Sequence, residues 1–273
     1  MTGFGRPVVV VTGAAAGIGA AIASTLAPDA RALALWDQAA GVHRVARELG
    51  GATEASVLAD EIDVTDGAVV SKAFDRLISE FGPAHVVVHA AGIMLPSTAL
   101  DTSIEDWAHS LAVNATGTMN VAQRAARDMV ATGYGSIVVV SSNAATTPRV
   151  GMAAYSASKA AATAFTRALA LQVAPYGVRV NLVSPGSTDT AMLRGLHATR
   201  EPVGIDVGNP PLSDSALTTL IEGDPDSYRL GIPLRRIATP TDIAAAVRFL
   251  VSNDARHITM HDLRVDGGAS LDM

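Results

Sequence analysis

The sequence predicts an α/β domain of the doubly wound kind, in which one mostly parallel sheet of seven strands carries helices on both faces. Three observations predict it. Short apolar runs alternate with helix-length segments along the chain, which is the rhythm of strand–helix–strand units. The first run, Val8-Val9-Val10-Val11, is unbroken, as in strands covered on both faces. A glycine-rich turn then leads straight into the good helix former Ala20 to Leu26. With 273 residues, 49% hydrophobic and 17% charged, the chain suits one large domain with a substantial core.

Strands are expected at 8–12, 31–36, 56–59, 84–89, 136–141, 178–184 and 263–265. Helices fit 17–26, 41–49, 67–81, 104–131, 153–174 and 241–251. Gly133-Tyr134-Gly135 and Tyr176-Gly177 are helix stops placed before strands. No internal repeat, linker or low-complexity tract interrupts the pattern. The exception is 191–229, a polar, irregular stretch carrying Pro202, Gly204, Gly208, Asn209-Pro210-Pro211 and Gly223. A loop that long inside a compact domain is expected to be a substrate lid.

The turn after the first strand reads Thr12-Gly13-Ala14-Ala15-Ala16-Gly17-Ile18-Gly19. Glycines let the backbone turn tightly and approach a ligand closely. The free N–H groups at the following helix start suit a pyrophosphate. The uncharged stretch 8–28 is long enough to imitate a membrane span of about 20 residues. Three glycines at loop spacing and the closing Pro28-Asp29 argue for strand, turn and helix instead, with no membrane partner. A net charge of −6 argues against nucleic acid. The absence of cysteine excludes disulfides and thiolate zinc sites, and no metal is expected. The first residues lack a charged region followed by an apolar core, so a cytoplasmic protein is expected.

The T-G-x-x-x-G-x-G spacing resembles the cofactor loop of the short-chain dehydrogenase/reductase family. That resemblance implies a single Rossmann-like catalytic domain and a nicotinamide cofactor held by Gly13, Gly17, Ile18 and Gly19. Asp37 ends the second strand 18 residues after Gly19, where an acid accepts hydrogen bonds from the adenosine ribose. A carboxylate there repels a 2′-phosphate, and position 16 is alanine rather than a cation, so NAD is expected. The resemblance assigns Asp63 and Val64 to the adenine. His89-Ala90-Ala91-Gly92 stands where the family carries Asn-Asn-Ala-Gly. Both asparagines are replaced, while Ala91 and Gly92 keep a backbone that packs against the cofactor. His89, at a buried strand end, is expected to be a structural histidine with its hydrogen bonds satisfied.

Tyr155 and Lys159 are four residues apart and share one helical face. Ser142 precedes Tyr155 by 13 residues, and all three fall at the C-terminal edge of the sheet, where open α/β sheets bind ligands. Oxidising an alcohol needs a base, and a free tyrosine with a pKa of about 10 is too weak an acid near neutrality. A cation within about 4–6 Å lowers it by roughly 1–3 units, so Lys159 is expected to make Tyr155 the general base. The resemblance further implies that Lys159 holds the cofactor ribose and Ser142 the substrate oxygen. By the same resemblance Asn114 anchors a proton-relay water, and Pro185, Gly186, Thr188 and Thr190 grip the nicotinamide carboxamide.

The segments 142–155, 183–190, 230–234, 257–259 and 265–271 resemble, more narrowly, members that act on a dihydroaromatic ring acid. They imply oxidation of the C3 hydroxyl of 2,3-dihydro-2,3-dihydroxybenzoate to an aromatic product, with release of NADH. A guanidinium at Arg149, between Ser142 and Tyr155, suits a carboxylate. Met94, Met152 and Met192 follow strands four, five and six and suit a flat apolar ring. Alternatives are dehydrogenation of the 2-amino analogue, trans-2,3-dihydro-3-hydroxyanthranilate, or an NADH-dependent ketone reductase. A non-catalytic NAD-sensing scaffold is the reading from another class. The family resemblance also implies a homotetramer.

Overall fold

The computed structural model describes residues 5–197 and 211–271. The main strands are β1 (Val8–Thr12), β2 (Ala32–Asp37), β3 (Ser56–Glu61), β4 (Val86–His89), β5 (Gly135–Val140) and β6 (Val178–Pro185). Two short strands, β7 (Gly223–Asp224) and β8 (Arg229–Leu230), pair antiparallel, and β9 (Asp262–Val265) completes the main sheet. Its order is β3-β2-β1-β4-β5-β6-β9, and every pairing in it is parallel rather than mostly so. The strand order reverses between β1 and β4, which opens a crevice at their C-terminal ends.

The helices are α1 (Gly17–Leu26), α2 (Gly41–Gly50), α3 (Gly67–Phe81), α4 (Ile104–Leu111), α5 (Gly117–Thr132), α6 (Ala153–Val173), α7 (Ala191–His197), α8 (Asp214–Glu222) and α9 (Pro240–Val251). Successive strand side chains point to opposite faces, and both faces are covered. Val8 and Val10 join Phe74, Leu77, Val121 and Met129 on one side. Val9 and Val11 join Ile22, Leu26, Val247 and Leu250 on the other. This double burial is why the valine run shows no polar alternation. Trp36 and Phe74 meet edge to face at 4.8 Å, a geometry that adds to the burial of both rings.

Two expectations about elements need correction. The helix expected over 104–131 is broken by a π-turn at Ala112–Thr116, a device that inserts one extra residue per turn and re-aims side chains. The described parts of 191–229 are not irregular: they hold α7, α8 and the β7–β8 hairpin. Ser213 caps α8 by accepting from Ala216 N, the usual way to satisfy a helix start. Pro202, Gly204, Gly208, Asn209 and Pro210 lie outside the described residues. Among the described residues no helix is long and apolar enough to cross a membrane.

Candidate active site

The glycine turn is forced by contacts on both sides. Gly13 and Gly17 sit at φ +68° and +54°, a region side chains rarely adopt. A β-carbon on Gly13 would lie 2.7 Å from Ala91 N, and one on Gly19 would lie 2.0 Å from Gly13 O. The turn is thereby pressed against the end of β4 on one flank and folded onto itself on the other. Asp37, closing β2, accepts from Ala15 N at 3.0 Å and from Ala39 N at 2.9 Å. Each carboxylate oxygen keeps a further lone pair for a ligand. Asp37, Asp63, Val64, Ala91 and Gly92 line one cleft with Gly13, Gly17, Ile18 and Gly19. Asp63 folds an Asx turn onto Thr65, accepting from its N and Oγ1, and Val64 packs where a β-carbon on Gly117 would stand.

Thr12 organises the end of β4. Its Oγ1 accepts from Ala90 N and Ala91 N, both at 3.2 Å, so its own proton goes to His89 Nδ1 at 2.8 Å. The ring proton of His89 therefore sits on Nε2. That atom is buried without a hydrogen-bond partner, so the histidine expected to be satisfied is satisfied on one side only. Burial, and then the charge of Lys159, lower its pKa to about 3, which keeps the ring neutral.

The second group gathers around the ends of β5 and β6. Lys159 is buried and donates to Val140 O at 2.9 Å, and burial lowers its pKa to about 8. Asn114, in the π-turn, is fully buried. Its Oδ1 accepts from Ile93 N, while its Nδ2 donates to Ile93 O and Ser158 Oγ, each at 2.9 Å. A β-carbon on Gly92 would stand 3.0 Å from Asn114 Oδ1 and 3.2 Å from Lys159 Nζ. A side chain there would require both groups to give by a few tenths of an ångström. Ser142 and Tyr155 are joined by a side-chain hydrogen bond. Burial raises the Tyr155 pKa, and the bond to Ser142 partly opposes it. The expected depression by Lys159 is not among the effects on the phenol in the protein alone, where burial dominates.

Ser142, Tyr155 and Lys159 line one cavity together with Pro185, Gly186, Thr188 and Thr190. Met94, Arg149, Met152 and Met192 line it too, so the structure brings all four expected ring-side residues into the cavity that holds Ser142, Tyr155 and Lys159. A parallel bridge between Ser97 and Met152 ties the loop after β4 to the loop before α6 and fixes two of these walls. Sequence reasoning missed Arg229, which enters the same cavity from β8. Its only mark in the sequence is a cation closing the irregular stretch.

This cleft fits a dinucleotide. The close approaches at Gly13, Gly19 and Gly92 leave a side-chain-free floor, and Asp37 brings acceptor oxygens to its rim. Residues 7–201 match the short chain dehydrogenase family, and residues 215–270 match a family described as enoyl-(acyl carrier protein) reductase. The chain belongs to the short-chain dehydrogenase family and is an oxidoreductase that uses a nicotinamide cofactor and a small-molecule substrate. It is similar to 2,3-dihydro-2,3-dihydroxybenzoate dehydrogenase of Bacillus subtilis (strain 168), at 40% identity with 98% of each chain covered. The Escherichia coli (strain K12) protein of the same name is 39% identical, with 96% of each covered. Among solved structures, a 7 alpha-hydroxysteroid dehydrogenase complexed with NADH and 7-oxo glycochenodeoxycholic acid superposes with a TM-score of 0.83. It is 26% identical, over 97% of this chain and 95% of that one.

Proposed function

We propose that this chain oxidises the C3 hydroxyl of 2,3-dihydro-2,3-dihydroxybenzoate with NAD. The observation that carries this reading is one cavity holding both an alcohol-oxidising pair, Ser142 and Tyr155, and a half-buried cation, Arg149. The names of the two bacterial relatives support the same substrate.

Gly13, Gly17, Ile18 and Gly19 hold the pyrophosphate, Asp37 the adenosine ribose, and Asp63 with Val64 the adenine. Ala91 and Gly92 pack on the cofactor, and Pro185, Gly186, Thr188 and Thr190 hold its carboxamide end. Asp37 favours NAD, because its carboxylate would face the 2′-phosphate of NADP and the neighbouring Ala16 and Gln38 offer no cation. When bound, the oxidised nicotinamide supplies a hydride acceptor and a positive charge.

Ser142 donates to the C3 oxygen and Tyr155 takes its proton. The bare site favours the neutral phenol, so Tyr155 becomes a base only through the positive field of Lys159 and the cofactor. Lys159 also holds the cofactor ribose. Asn114 is a positioning residue: its side chain is spent on Ile93 and Ser158, and its carbonyl, which accepts from Thr118 Oγ1 at 2.7 Å, stands beside a proton-relay water. Arg149 binds the ring carboxylate, and Met94, Met152 and Met192 clasp the flat ring. Loss of the C2 hydrogen as a proton then converts the 3-ketone to the catechol, and aromaticity drives the sequence forward. The segment 191–229 acts as the lid, and a cytoplasmic homotetramer is the expected form. The exposed Met119 on α5 and Leu171 on α6 support helix pairing between copies.

The test offers NAD with 2,3-dihydro-2,3-dihydroxybenzoate and, separately, with its 2-amino analogue. One NADH per aromatic acid formed from the diol is expected. Turnover of the amino compound alone, or of neither, would overturn the assignment.

A further inference from the structure

Arg149 and Arg229 present an electrostatic conflict that the protein itself does not resolve. Both are half-buried in the wall of the same cavity as Ser142 and Tyr155, and neither forms an ion pair among the described residues. Burial, and after it the charge of Arg149, lower the Arg229 pKa, with Asp224 opposing. The nearby acids are engaged elsewhere. Asp266, which acts on Arg149 from a distance, accepts from Asn143 Nδ2, Gly268 N and both N and Oγ of Ser270. Asp224 accepts from Ser227 Oγ at 2.6 Å and Asp226 N at 3.1 Å. Two desolvated like charges without a counter-ion are unfavourable, and an anion placed between them removes that cost.

Arg229 is also held in place. Its Nη2 donates to Ser187 Oγ at 2.9 Å, in the turn that follows β6. The hairpin beneath it is tight: Tyr228 lies at φ +53°, and a β-carbon on Gly223 would stand 2.6 Å from Arg229 O. Arg149, by contrast, belongs to the loop between β5 and α6, which the Ser97–Met152 bridge ties to the wall after β4. The two guanidiniums thus reach the cavity from separate elements.

We infer that Arg229 is the second arm of a two-guanidinium cleft that grips the substrate's carboxylate opposite Arg149 and selects ring acids over neutral ring diols. The inference rests on the ring-acid reading above and extends it to a residue on the β7–β8 hairpin. A carboxylate has four acceptor sites and is matched by planar guanidinium forks. Seated there, the acid joins the hairpin to the fixed wall and sets the distance from ring carboxylate to the hydroxyl facing Tyr155. A neutral diol leaves both charges desolvated and unpaired, which is how a polar site rejects the analogue lacking the polar group.

Benzoate and benzamide separate the cleft from the chemistry. Binding of each to the NAD-loaded protein is measured by calorimetry for the wild type, Arg149→Gln, Arg229→Gln and Arg229→Lys, alongside KM and kcat for the ring acid. The wild type should prefer benzoate to benzamide. Arg229→Gln should weaken benzoate about 10- to 100-fold and leave benzamide within about threefold. Arg229→Lys keeps the charge without the fork and should fall between. KM for the ring acid should rise with the loss of benzoate affinity, at unchanged NAD affinity. Equal binding of benzoate and benzamide by the wild type would overturn the inference. So would benzoate affinity that survives both Arg229 variants. If the wild type fails to turn over the ring acid but still selects benzoate through Arg229, the cleft stands and the named substrate falls.

Discussion

The ammonium of Lys159 donates to the carbonyl of Val140 across 2.9 Å, pinning the helix that carries Tyr155 to the strand that leads to Ser142. Burial holds this lysine at about 8, against 10.5 for the ordinary side chain. Below pH 8 both folded and unfolded chains carry the charge, so the folded state bears the full cost of burying it. Between pH 8 and 10.5 the folded chain releases its proton first, and wild-type stability rises with pH. Lys159→Met removes about 3 kcal/mol of charge burial and strands the Val140 carbonyl at a cost of about 1–2 kcal/mol. The variant should be more stable than wild type by about 1–2 kcal/mol at pH 7, with the advantage lost at pH 10 in urea titrations. Its turnover should fall at least about 100-fold.

His89 acts with the same sign on the acid side. The folded ring titrates at about 3 and the unfolded one at 6.5. As pH falls below 6.5, only the unfolded chain takes up the proton, so stability is lost. From pH 7 to pH 5 this amounts to about 2 kcal/mol. His89→Asn, which cannot titrate, should flatten that part of the stability curve, read from denaturant midpoints at the two pH values.

Asp37 combines a structural and a selective role. Removing the carboxylate frees Ala15 N and Ala39 N and the expected ribose contact together. Asp37→Ala should raise KM for NAD by about tenfold or more and shift the ratio of kcat/KM for NAD over NADP toward NADP. A ratio that does not move would remove Asp37 from cofactor selection.

Two glycine substitutions test how far the loop is dictated by contact. A β-carbon at Gly19 meets Gly13 O at 2.0 Å, whereas one at Gly50, in the last turn of α2, meets nothing within 4 Å. Gly19→Ala should abolish NAD binding in calorimetry. Gly50→Ala should bind normally and gain about 0.5–1 kcal/mol from helix propensity and chain entropy.

Much of this was legible in the chain. The valine strand, the turn and the first helix carry their own signals: β-branched burial, three spaced glycines and an alanine-rich run. The Tyr155–Lys159 spacing fixes one helical face whatever the rest of the fold does. The π-turn at Ala112–Thr116 was not legible, because its extra residue leaves helix-compatible side chains on either side. Arg229 was hidden because its partners are remote: Ser187 is 42 positions away, and β7–β8 is too short to announce itself. The capping serine at 213, with Leu217, Leu220 and Ile221 behind it, was a readable sign of α8 within the stretch taken as irregular. The pKa direction of Tyr155 is set by how deeply the phenol is buried, and only packing decides that.

The central claim is that the phenol of Tyr155 removes the alcohol proton. Single-turnover formation of NADH by Tyr155→Phe, with saturating NAD and ring acid, tests it directly. The account predicts a rate reduced about 10²- to 10⁴-fold at unchanged NAD affinity. A rate within threefold of wild type would contradict it.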